Sequence, residues 1–240
     1  LTGSQMLSQS FSEAAQSDLS TLTPLMYLII AGFLVIATRS MSGTIATVIV
    51  IALSAAAAMG FGSWLNIPVS PPVSGAPVII LTVAVADCVH LLITALVERG
   101  NGAEKKQAII ESLSINAQPV FLTSVTTAIG LFSLNFSDAP PYRDLGTLSG
   151  FGALFAWVLS MSLFPALLTL MPMGASKSVN LQSRIMGRFA DWVILRRRPL
   201  LLIMLGVALT STALLPRFNF NDRFVEYFDE RMDFRVASDW

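Results

Sequence analysis

The sequence predicts an all-α integral membrane protein, a polytopic bundle of six transmembrane helices. Three observations carry this. Charged residues make up 12% of the 240-residue chain, about half of the roughly 25% usual in soluble domains. Apolar residues make up 54%, more than a charged surface of this size can keep in water. The apolar residues also fall into six long stretches, each sufficient for a helix across a hydrocarbon core about 30 Å thick.

The stretches follow in order. The first runs from about Leu22 to Thr38, the second from Gly43 to Leu65 and the third from Gly75 to Val97. The fourth runs from about Pro119 to Phe136, the fifth from Leu145 to Met171 and the sixth from Pro199 to Leu215. Backbone polar groups in lipid must be satisfied within the segment, which makes each stretch a helix. A transmembrane barrel strand would alternate, and Pro77 to Ala86 does not. Pro24, Pro119 and Pro199 sit at stretch starts, where a missing N–H costs nothing.

Basic residues set the orientation. The odd-numbered connections hold ten of them, including Arg39, Arg99, Lys105, Lys106 and Arg196 to Arg198. The even-numbered connections hold only Arg143. Positive-inside bias puts the odd connections in the cytoplasm and both ends of the sequence outside. Two cytoplasmic connections, Ala103 to Gln118 and Leu181 to Val193, have amphipathic spacing and are expected to lie on the anionic inner leaflet. Leu1 is not an initiator Met, and both ends are polar, as expected of an interior fragment.

Several function classes drop out. Cys88 is the only cysteine, which excludes a disulfide scaffold. Zero net charge argues against nucleic-acid partners. There is no phosphate-binding glycine loop and no nucleophile elbow. One His, one Cys and one intramembrane Asp do not complete a usual zinc set, so no metal is expected. An intramembrane aspartyl protease needs a second acid.

Asp87 is the residue that points to function. It lies mid-way along the third stretch, where an ionisable group facing lipid costs about 3 kcal/mol or more and so belongs in the bundle interior. His90 and Thr94 follow at helical spacing on the same side, and a carboxylate beside an imidazole can pass a proton. The competing reading is a hydrogen-bonded structural acid. The fourth stretch places Thr123, Thr126, Thr127 and Gly130 on one face, beside Ser124. Its hydroxyls either bond across to Asp87 or close onto their own helix. Gly130, Gly146 and Gly150 are candidate helix-packing positions; the last two have small-xxx-small spacing.

Ala84-Val-Ala-Asp-Cys-Val-His-Leu-Leu92 resembles the fourth-span signature of resistance–nodulation–division (RND) exporters, especially the MMPL-like, predicted-exporter branch. Residues 119 to 134 resemble the fifth span. Asp144-Leu-Gly through Ser162-Leu-Phe-Pro-Ala-Leu-Leu168 resembles the sixth. Tyr227 to Glu230 and Phe234 to Trp240 look like the start of a second outer domain. The sterol-sensing-domain proteins share the five-span layout.

The resemblance implies half of a twelve-span transporter, covering about spans two to seven. Residues 1–20 would end a first periplasmic domain, 21–175 would form the five-span bundle, and 176–198 a cytoplasmic linker helix. Residues 199–215 would open the second half and 216–240 a second periplasmic domain. It implies a secondary transporter of the bacterial inner membrane, not an enzyme, exporting lipids or other hydrophobic compounds by proton antiport. Protons would be the coupling ion, with no other cofactor. Asp87 falls on the family's proton-relay acid, with His90 as neighbour and Thr94, Thr123, Thr126 and Thr127 as support. The drug-efflux branch has a second acid where this chain has Cys88. Implied partners are membrane lipids, a hydrophobic or lipid substrate, further copies in a trimer and accessory periplasmic proteins. The alternative it carries is a non-transporting, sterol-sensing-like lipid receptor or scaffold.

Overall fold

The computed structural model describes residues 4–173 and 178–215, and among these all regular structure is helical. Among the described residues, six helices are long and apolar enough to cross a membrane. Of the described residues, 11–173 with 178–179 form one compact unit, and 4–10 with 180–215 form a second.

Helix α1 (Ser4–Thr38), whose residues from 11 onward belong to the first unit, ends at Arg39, whose φ of 51° turns the chain. Helix α2 (Met41–Trp64) starts at once, because the Ser40 side chain accepts the Gly43 N–H at 3.2 Å and caps it. A short α3 (Pro71–Ser74) leads into α4 (Ala76–Gly100), and both begin with proline in the first turn. The turn to α5 (Lys105–Phe132) passes through Gly102 at φ 96°, open only to a residue without Cβ. A 3₁₀ turn at Ser133–Phe136 precedes α6 (Pro140–Leu170).

Helix α6 is the hub, packing against α2, α4 and α5. Small residues allow it. A Cβ on Gly146 would come within 2.6 Å of Leu131 O, and one on Gly150 within 2.5 Å of the Phe132 ring. One on Gly152 would collide with Ile80. Gly130 does not share this role: nothing lies within 4 Å of where its Cβ would be, so it is no packing position in this unit. One core cluster gathers Cys88, Leu91, Leu92, Phe164 and Leu168, and a second gathers Ala58, Ile80 and Leu148. The outer faces stay apolar, with Leu28 70%, Ile36 78% and Ile129 64% exposed, as lipid contact requires.

The proline reading fails at two positions. Pro24 and Pro119 lie inside α1 and α5 rather than at helix starts. The expected surface helix Ala103 to Gln118 also differs: it is the first half of α5, and Ile109, Ser112 and Asn116 are buried against the bundle. Two of its polar residues, Ser112 and Asn116, face α4 and find partners there. Membrane helices tolerate an internal proline where neighbours satisfy the freed backbone groups.

In the second unit, α7 (Ser178–Leu195) is followed by α8 (Arg197–Leu214). Phe189 stacks on Trp192 at 6.0 Å, and the Arg196 guanidinium stands 6.0 Å over the Trp192 ring. The expected outer domain at 216–240 lies outside the described residues.

Candidate functional site

Helix α4 carries Asp87 about 17–20 Å from each of its ends, at 1.5 Å per residue. The neighbours Ala84, Cys88 and Leu91 share its inward side and are buried, so the carboxylate points into the unit and is 3% exposed. Ser124 of α5 donates from Oγ to Asp87 Oδ2 at 3.0 Å. Ser160 of α6 stands near the carboxylate, and its Oγ donates to Trp157 O at 2.9 Å. Both serines are 0% exposed. Asp87 is thus hydrogen-bonded by a hydroxyl of α5, with a second buried hydroxyl, on α6, close by.

A polar seam continues along α4 and α5. Ser112 Oγ donates to Leu91 O at 2.6 Å. Asn116 Nδ2 donates to Thr94 Oγ1 at 2.9 Å and to Ser112 O at 2.8 Å. Thr94 in turn donates to His90 O at 3.0 Å. Thr94 therefore joins α4 to α5 but does not reach Asp87.

The predicted threonine face needs correction. Thr123 donates to Val120 O, and Thr126 donates to Leu122 O and Thr123 O, all on their own helix. Ser124 is the hydroxyl that crosses to Asp87, because its side of α5 is the one packed on α4; Thr127 is only half-buried. His90 is exposed on α4, away from the buried side that holds Asp87. Cys88, in the place of a second acid, is 0% exposed and packs in the apolar core.

Sequence reasoning misses Ser112, Asn116 and Ser160. A signal for the first two exists: Ser112, Asn116, Val120, Ser124 and Ala128 recur every fourth residue, and all five are buried. Along α6, buried small residues recur three or four positions apart at Gly146, Gly150, Ala153, Ala156 and Ser160.

A family model described as the MMPL family matches residues 1–202. The chain belongs to the MMPL family. It thus belongs to a family of multi-pass membrane transporters of hydrophobic substances. The matched residues include Asp87, Ser124 and Ser160. No curated protein sequence matches the chain.

Proposed function

We propose that this MMPL protein exports a lipid or other hydrophobic compound across a bacterial inner membrane, driven by proton entry through Asp87. One observation supports the reading above the others: a buried carboxylic acid in mid-membrane accepts a hydrogen bond from Ser124 of a neighbouring helix, with Ser160 of a third helix close by.

The chemistry follows from proton count. A serine hydroxyl carries one hydrogen. With Asp87 ionised, both hydroxyls serve best as donors to it, which pulls Ser160 from the Trp157 carbonyl. With Asp87 protonated, its O–H can donate, and Ser160 keeps its own hydrogen bond to Trp157 O. The protonation state thereby biases the fit of α4 against α5 and α6, and a shift in that packing is a shift between two conformations. In the orientation that positive-inside bias favours, the Arg99–Lys106 turn faces the cytoplasm.

The test is transport by purified protein in vesicles with and without a proton gradient. Export should stop when a protonophore collapses the gradient. Lipid binding with no gradient-dependent transport would instead favour a sterol-sensing-like receptor, in which Asp87 is a structural acid.

A further inference from the structure

The end of the first unit opposite Gly146 holds a second polar feature, apart from Asp87. A cavity of about 600 Å³ opens there, lined by Arg99, Glu104, Lys105, Lys106 and Thr169. Three helix ends converge on it: the last turn of α4, the first turn of α5 and the last turn of α6. The apolar parts of α4 and α6 stop at this level, so the cavity sits where hydrocarbon gives way to headgroups.

The charges are arranged, not scattered. Lys105 Nζ donates to Thr169 O at 2.7 Å and Met171 O at 2.6 Å, which caps α6 and fixes the ammonium at the rim. Two donors are spent and one is left. Arg99 Nη1 donates to Ala103 O at 2.8 Å, while its Nε is buried with no hydrogen-bond partner. Lys106 is exposed beside them. Glu104 is the one acid in the lining, against three cations. Arg99 lines the cavity, and planar guanidinium recognises phosphate oxygens well.

We propose that this cavity binds the phosphate headgroup of an anionic phospholipid. The assignment to lipid rather than free phosphate follows from position, since the acyl chains of such a lipid would run down the apolar outer faces of α4 and α5, where Ile93, Ile110 and Ile115 are 42–52% exposed. Basic cavities between membrane helices are suited to such headgroups. The site goes beyond proton coupling and stands or falls without Asp87.

Native mass spectrometry of the full chain with added phosphatidylglycerol or phosphatidylcholine reads it directly. The wild type should retain phosphatidylglycerol in preference. Each basic residue near a membrane surface is worth about fivefold in anionic-lipid affinity. Lys106→Gln should therefore weaken retention about fivefold, and Arg99→Gln/Lys106→Gln roughly thirtyfold. Arg143→Gln, in the first turn of α6 at the other end of the unit, should change nothing. The exposed Lys106 variant alone remains readable if the double variant does not fold. Unchanged retention in Lys106→Gln, equal retention of phosphatidylcholine, or displacement by inorganic phosphate alone would each overturn the lipid site.

Discussion

Ser124 Oγ donates to Asp87 Oδ2 at 3.0 Å, and that bond ties α4 to α5 across 37 residues of chain, with both side chains buried. A buried hydrogen bond to a charged group contributes about 1.5–3 kcal/mol. Ser124→Ala should cut transport markedly, about tenfold if most of that contribution is lost. Ser124→Thr keeps the donor and should retain more activity, with a packing cost at a 0% exposed position. Transport assays with equal amounts of each purified variant separate the two.

His90 behaves differently from Asp87. It is exposed on α4, with its backbone carbonyl engaged by Thr94. His90→Gln should leave transport within about twofold, because no hydrogen bond of the Asp87 site is removed. A loss as deep as that from an Asp87 variant would place His90 on the proton path.

The small residues of α6 divide sharply from Gly130. Gly150→Ala puts a Cβ within 2.5 Å of the Phe132 ring, and Gly146→Ala meets the Leu131 carbonyl. Each should destabilise by about 1–3 kcal/mol through overpacking. Gly130→Ala has open space and should stabilise the helix by about 0.5–1 kcal/mol. Thermal unfolding in detergent gives the ranking.

Lys105 closes the C-terminal end of α6 through the carbonyls of Thr169 and Met171. Lys105→Met keeps the stem and removes both bonds. A loss of about 1–3 kcal/mol is expected. Faster hydrogen exchange confined to the last turn of α6 would locate it.

Much of the fold is legible in the sequence. Six apolar stretches correspond to six helices of membrane-crossing length, since length and hydropathy dominate in lipid. Asp87 stands out because an acid at that depth in a membrane is costly and rare away from functional sites. Its partners are harder to read. Thr123, Ser124, Thr126 and Thr127 are neighbours in sequence, and only the packing direction of α5 decides which one faces α4. The extent of α5 is hidden too. Pro119 and a polar first half read as a boundary, yet Ser112 and Asn116 pair with α4 and carry the helix through. Gly130 reads as a packing position alongside Gly146 and Gly150, but nothing lies within 4 Å of where its Cβ would be.

The central claim is that Asp87 couples proton entry to transport. Protein reconstituted in vesicles containing a pH-sensitive dye, with an imposed proton gradient, tests it most directly. Asp87→Asn preserves shape and hydrogen-bonding capacity while removing the titratable group. The account predicts substrate-dependent proton flux in the wild type and none in Asp87→Asn, with both proteins folded to the same extent; undiminished flux in Asp87→Asn would contradict it.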